Sequence, residues 1–527
     1  MFLLAMLVSM CIASSPDTVV VCPKGFQPAL ARWIEYRSLQ GNEIIVIEPA
    51  ASAARMKQAI RLIGKSGTLK NLVIVGDVGA GPLTVPTDYR VARVNRLFGS
   101  EPEIATDNTY ADLDDDGFPD LAIGRIPVDT PEQLKIMIDR IISYESQLGQ
   151  DVWRRRINVV AGVGGFGTVI DKSIENTVKV LVSDFVPPEY DATMTYGSWT
   201  SPYCPDPRRF SETAIERLNE GCKFWVYVGH GNRQRLDNIK TPIGRFPVMD
   251  MTAMAKVAPR NGSPIAVFLA CYTGAFDDSR DCIAESLVNQ PTGPIAAICG
   301  TRVTMPSAMG LLSLELMDQE FHGDSQTLGE MMLLAKQRMI QPKANSRTSD
   351  FRDVISGTNQ VLSPRPELFE LEIQEHLQLF HLLGDPLLRL SRPESIAIAS
   401  SPVPKAGQQV ELTGLAPFAG SLTVDVSYPR SRLRHRPIAR LESRLDDEGL
   451  DRIQVDYLRS FDLVCVSKVI DVLPGAFHCE LDLPNDVRGQ AVARVFLAGK
   501  KSYAVGSTQL EIANERKVIG TIADKIR

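Results

Sequence analysis

Lys223-Phe224-Trp225-Val226-Tyr227-Val228 runs into Gly229-His230-Gly231, and Pro264-Ile265-Ala266-Val267-Phe268-Leu269-Ala270 runs into Cys271-Tyr272-Thr273-Gly274. Each is a short apolar run with aromatic and β-branched residues, so each reads as a buried strand. Each brings one reactive side chain to its C-terminal end. Open α/β sheets place their chemistry outside the carboxyl ends of the strands. A thiol and an imidazole in that position form the minimal unit for covalent catalysis, with His230 as base and Cys271 as nucleophile. The plain alternative for Cys271 is a small buried hydrophobe, since the chain has nine cysteines. His230 is less ordinary: it is one of six histidines and sits between two glycines. Glycine there lets a ligand or a backbone approach closely.

Outward from these strands the pattern stays α/β. Thr18-Val19-Val20-Val21, Ile44-Ile45-Val46-Ile47 and Leu72-Val73-Ile74-Val75 read as strands, with amphipathic runs from Pro28 to Leu39 and from Ser52 to Gly64 between them. Strand and helix in alternation predict a mostly parallel sheet. Thr130-Pro131-Glu132-Gln133 and Thr327-Leu328-Gly329-Glu330 read as capping boxes that open helices to about Leu148 and Ile340. Ser211 reads as a cap for a helix ending near Gly221. Residues 342 to 363 are polar and read as a surface loop. From Pro393 short alternating strands appear, such as Val410-Glu411-Leu412-Thr413 and Leu422-Thr423-Val424-Asp425-Val426. They predict a β-sandwich. The expected division is a signal peptide over 1–15, an α/β subdomain over 16–150, a second α/β subdomain carrying the chemistry over 151–392, a β-sandwich over 393–515 and a tail over 516–527.

The ordered motifs resemble one family. Gly229-His230-Gly231 and Ala270-Cys271-Tyr272-Thr273-Gly274-Ala275-Phe276 are similar to the His and Cys motifs of the gingipain-type cysteine peptidases, relatives of the caspases. The same holds for Asp281-Cys282-Ile283-Ala284-Glu285-Ser286-Leu287, Gly293-Pro294-Ile295-Ala296-Ala297-Ile298 and Leu383-Gly384-Asp385-Pro386. Upstream, Asp107 to Asp120 and Gly124-Arg125-Ile126-Pro127 resemble the family's first subdomain. The resemblance implies two caspase-like α/β subdomains followed by an immunoglobulin-like sandwich. It implies a cysteine endopeptidase that works through a Cys-His dyad and a thioester acyl-enzyme. It also implies an oxyanion hole from the backbone N–H groups of Gly231 and Cys271, which the absent side chain of Gly231 fits.

Specificity departs from the pattern. Gingipains cut after basic residues, with an acidic group and a tryptophan in the S1 pocket. Here the corresponding loop, Gly300-Thr301-Arg302-Val303-Thr304-Met305-Pro306-Ser307, has no tryptophan. Arg302 in that loop would favour an acidic side chain; otherwise it is an ordinary surface arginine. Asp112, Asp114, Asp116 and Asp120, with Gly117 between, follow the start of a calcium-loop pattern. The twelfth position is Ile123, so a complete EF-hand is excluded. What remains is structural calcium or an Asp-rich turn. Catalysis is expected to need no cofactor.

Composition bounds the rest. Hydrophobic residues make up 44% and charged residues 23%, and the net charge is −6. These are the proportions of a soluble globular protein, and no nucleic-acid partner is expected; protein or peptide substrates are what the family resemblance implies. Residues 2 to 13 have the size of a signal-peptide core, though without a preceding basic residue, and point to an extracytoplasmic or secreted protein. The alternative is a buried first strand. No segment reaches membrane-spanning length. Cys465 and Cys479 could pair across two strands. Two other functions fit the same residues: a transpeptidase using the same dyad, and a non-catalytic scaffold that keeps the fold.

Overall fold

The structure is a computed structural model that describes residues 15–146, 152–163, 179, 181–344, 346–400, 404–440 and 443–513. The segment expected as a signal peptide (except Ser15) and the C-terminal tail lie outside the described residues. The remainder forms two compact units. The first takes the described residues through Ile142, then Cys271–Pro291 and Ile295–Arg389; the second takes Ser143–Ala270, Thr292–Pro294 and the described residues from Leu390. The chain therefore passes between the units several times, once between Ala270 and Cys271.

In the first unit the strand order is Ile44–Ile47, Thr18–Val21, Asn71–Val75, Ala122–Ile126, Phe380–Leu383 and Ala296–Gly300. Neighbours run parallel except the last pair, where Ala297 faces Leu383 in antiparallel register. Val19, Val20 and Val21 are fully buried, as a strand covered on both faces requires. The helices form for local reasons visible in the sequence. The Ser52 hydroxyl accepts the Arg55 N–H at the start of Ala53–Gly64. Thr130 and Gln133 satisfy each other's backbone N–H groups before Pro131–Ser146, and the Thr327 hydroxyl accepts from Glu330 at 3.2 Å.

Two motifs of the family resemblance prove to be packing devices. Arg125 is buried and pairs with both carboxylate oxygens of Asp107, at 2.7 and 2.8 Å, while also donating to the carbonyls of Gly76 and Val85. Gly124 lies so close to the Gly384-Asp385-Pro386 segment that a Cβ on it would stand 2.7 Å from the Gly384 carbonyl oxygen. Asp385 accepts from Trp33 Nε1 and from the Arg37 guanidinium, both at 2.6 Å, with both charged side chains fully buried.

In the second unit a four-stranded parallel sheet has the order Ile265–Leu269, Phe224–Val228, Arg156–Ala161 and Asp191–Tyr196. Beyond Leu390 lie two further sheets. One contains Gly420–Ser427, Val464–Val472, Gly489–Ala498 and Tyr503–Ile512 with the short Glu394–Ser395; the other contains Ile398–Ser400, Gln409–Ala416 and Gly475–Asp482. Inward residues of both, among them Val410, Leu412, Leu422, Val424, Leu481 and Val495, share one apolar core. Cys465 and Cys479 are both free.

Two local expectations are corrected. The stretch read as a surface loop contains the helix Ser349–Leu362. Its polar composition hides a narrow inward stripe: Ile355 and Asn359 are buried, and Arg352 reaches Glu315 and the carbonyls of Arg338 and Met339. Ser211 is not a cap. It sits in the first turn of Phe210–Asn219, behind a tight turn over Pro207–Arg209 whose Arg208 N–H is taken by Asp206.

Candidate active-site elements

His230 is set up within the second unit. The strands Phe224–Val228 and Ile265–Leu269 pair in parallel with Phe224 opposite Ile265 and Val228 opposite Leu269. They therefore end level with each other, and the Gly229 N–H donates to the Leu269 carbonyl at 3.3 Å. His230 follows two residues after Val228; Cys271 follows two residues after Leu269. The turn bearing His230 is fixed from below by Tyr227. Its hydroxyl donates to the His230 carbonyl at 2.7 Å and accepts the Asp237 N–H at 3.3 Å. That phenol explains Gly229: a Cβ there would stand 2.7 Å from the Tyr227 oxygen. Residue 230 is exposed. Gly231 and Asn232 pair with Leu236 and Arg235 in a small antiparallel ribbon.

Cys271 belongs to the first unit and is half-buried. Among the described residues, its sulfur is met by Thr304. The Thr304 N–H donates to Sγ at 3.3 Å, Oγ1 lies 3.6 Å away, and the thiol faces the Thr304 carbonyl at 3.7 Å. The next residue, Tyr272, has φ +57. A non-glycine residue in the left-handed region costs on the order of 1 kcal/mol, and such strain gathers at functional turns. The Tyr272 N–H donates to the Arg302 carbonyl at 3.1 Å and its hydroxyl donates to Glu101 at 2.7 Å, and these bonds hold it there.

The loop facing Cys271 is anchored to the helix Phe369–Leu379. The Thr301 N–H donates to the Leu379 carbonyl, and the Met305 N–H donates to Nε2 of His376 at 2.8 Å. Burial pushes His376 down to about 4, so near neutral pH its ring is uncharged and can accept that bond. Arg302 is buried, and both of its terminal nitrogens bind Asp277, at 2.8 and 2.6 Å. Burial opposes its charge; the Asp277 carboxylate more than offsets this, so the guanidinium stays protonated. Tyr89 also reaches Asp277, at 3.3 Å.

In the acidic loop, oxygens of Asp112, Asp114 and Asp116 lie within 4.8 Å of one another. Asp120 stands outside that trio and accepts the Leu113 N–H at 2.7 Å; burial and the neighbouring carboxylates push it up. Asp115 has φ +70 and is paired with Lys57 and Arg61. Thr304, Glu101, Asp277, His376 and Asp115 carry no role in the sequence reading. Thr304 lies inside the loop read there as bordering S1, yet a lone threonine gives no periodic or spacing signal.

The profile of the family described as peptidase family C25 matches residues 12–391. The chain belongs to that family. Among its C25 relatives, gingipain R2 of Porphyromonas gingivalis (strain ATCC BAA-308 / W83) is 25% identical over 301 residues, covering 54% of this chain and 36% of that protein. Lys-gingipain HG66 of Porphyromonas gingivalis is 23% identical over 278 residues, 51% of this chain and 14% of that protein. The chain thus spans well under half the length of these curated relatives. The solved structure of the Arg specific cysteine proteinase gingipain R aligns over 95% of this chain and 98% of its own, with a TM-score of 0.54 and 16% identity. The complex of Porphyromonas gingivalis RgpB pro- and mature domains aligns with a TM-score of 0.55, also at 16% identity, over 94% of this chain. These are likenesses of fold and support the caspase-like α/β class. Among the described residues no helix is long and apolar enough to cross a membrane.

Proposed function

We propose that this C25 chain is a cysteine endopeptidase in which Cys271 is the nucleophile and His230 the acid-base partner. The observation that carries the reading is the level ending of two paired parallel strands, each with its reactive residue two positions on. Sγ attacks the scissile carbonyl carbon, and the charge on its oxygen is met by the N–H groups of Gly231 and Cys271. His230 takes the thiol proton as Sγ attacks and delivers it to the leaving nitrogen as the C–N bond breaks, which leaves a thioester. Water then attacks the thioester, releasing the acid and restoring the thiol. If an amine takes the place of water, the protein is a transpeptidase; if no acyl-enzyme forms, it is a scaffold.

Arg302 remains our proposed S1 determinant, with small or acidic P1 side chains preferred. The guanidinium already holds Asp277 on both nitrogens, so a P1 carboxylate must compete with that partner. Cleavage sites in a mixed peptide library test function and specificity together. We expect cuts after small or acidic residues, and a loss of at least about tenfold after acidic ones in Arg302→Glu, equivalent to about 1.4 kcal/mol. Cuts after Arg or Lys would overturn the pocket assignment and leave the peptidase reading standing. No cuts at all would overturn both.

We propose also that the residues beyond Pro393 form an immunoglobulin-like sandwich, and that residues 2–13 direct the protein out of the cytoplasm. A structural calcium ion is proposed for Asp112, Asp114, Asp116 and Asp120. The gathered oxygens of the first three support it, because clustered carboxylates repel one another until a cation ligates them. Melting temperature should rise in millimolar calcium and fall with chelator, through binding to the folded form. Asp114→Ala should erase the difference. Identical melting curves would leave an Asp-rich turn held by Lys57 and Arg61.

A further inference from the structure

Resting on the Cys271 reading, we infer that Thr304 is a positioning residue that favours the thiolate form of Cys271 and aims it. A thiol can use the Thr304 carbonyl as acceptor, at 3.7 Å. A thiolate cannot donate, and it gains two donors from the same residue: the N–H at 3.3 Å and the hydroxyl at 3.6 Å. Hydrogen bonds to the charged form favour that form. The geometry thus biases the sulfur toward the attacking state without calling on another side chain.

Thr304 is itself held on both sides. Its neighbour Met305 is pinned by His376, and Asn95 Nδ2 donates to the Val303 carbonyl. On the cysteine side, Tyr272 is locked in its left-handed turn by the Arg302 carbonyl and by Glu101. Sulfur and threonine are therefore presented to each other by two segments of one unit that are tied together by the bond from the Tyr272 N–H to the Arg302 carbonyl. Among the described residues, the titratable and charged groups around these segments include His376 on Met305, Glu101 on Tyr272, Arg302 with Asp277 and Tyr89, and Glu375 behind Asn95. None of them is altered by a change at residue 304.

The test is alkylation of Cys271 by iodoacetamide across pH, read peptide by peptide by mass spectrometry in the full chain. Thr304→Val removes the hydroxyl and keeps the N–H and the shape; Thr304→Ser keeps both donors. Thr304→Val should slow alkylation at pH 7 by about fivefold, the scale of one typical net hydrogen bond. The rate at high pH, where every thiol is ionised, should match wild type. Thr304→Ser should stay within about twofold of wild type at all pH values. A Thr304→Val profile that superimposes on wild type overturns the inference. So does an equal slowing at every pH, or an equal slowing in Thr304→Ser, since either reports altered access. If Thr304→Val does not fold, as read by its melting curve, Thr304→Ala supplies the same comparison. Alkylation needs no turnover. The outcome is thus separate from that of the peptidase reading, which is judged by cleavage and by acyl-enzyme formation in the wild-type protein.

Discussion

Cys271→Ala should eliminate peptide cleavage, and so should His230→Ala, while both variants should keep the wild-type melting temperature. Neither position holds core packing together. Residue 230 is exposed and Cys271 is half-buried, with Thr304 at its sulfur among the described residues. Losses of several orders of magnitude in kcat are the scale for removing a nucleophile or its base. Because the two act as a unit, the double variant should be barely slower than either single one. Of the other described cysteines, Cys22, Cys204, Cys222, Cys282, Cys299 and Cys479 are buried. Burial pushes Cys22 and Cys204 up to about 12, away from the thiolate form. Alanine at these positions should change stability rather than chemistry. Cleavage that survives in Cys271→Ala would contradict the assignment.

Asp385→Ala should destabilise the first unit by about 3–5 kcal/mol, the usual cost of stranding one half of a buried ion pair. Arg37 and Asp385 are fully enclosed, and Asp385 also serves Trp33 and the Leu387 N–H. The variant leaves a guanidinium in the core with its carboxylate gone. Replacing both partners with apolar residues, Arg37→Met with Asp385→Leu, should recover much of the loss, because the uncompensated charge goes too. Urea unfolding followed by a probe in this unit reads both effects. A loss under about 1 kcal/mol in Asp385→Ala would mean that the pair is not the anchor its geometry describes.

Much of the architecture was legible because parallel α/β sheets write themselves plainly. A strand covered on both faces must be apolar throughout, as Phe224–Val228 and Ile265–Leu269 are, and helix starts need visible caps, as at Ser52 and Thr130. What could not be read lies where tertiary contacts override composition. Ser349–Leu362 looks like a loop because so few of its residues face inward. The helix Asp447–Arg459 interrupts a run of strands, and it is held by Leu450 and Ile453 against Trp199 and by Tyr457 against Thr195. The units are discontinuous along the chain, which no linear change in composition reveals. At the site, His230 and Cys271 stood out through their strand ends and flanking glycines. Thr304, His376 and Glu101 did not, since each matters only for which atom it meets across the fold. The order of the motifs is visible in the sequence, whereas the roles of Arg125, Asp385 and Gly124 depend on contacts made across the fold.

The most direct measurement is covalent capture. The protein is treated with a set of peptidyl acyloxymethyl ketones bearing alanine, aspartate or lysine at P1, and the adduct is located by mass spectrometry. The account predicts one adduct, on Cys271, formed by at least one of the three, absent after denaturation and strongly slowed in His230→Ala. An adduct on a different residue, or none from any reagent while the protein still cleaves peptides, would contradict it.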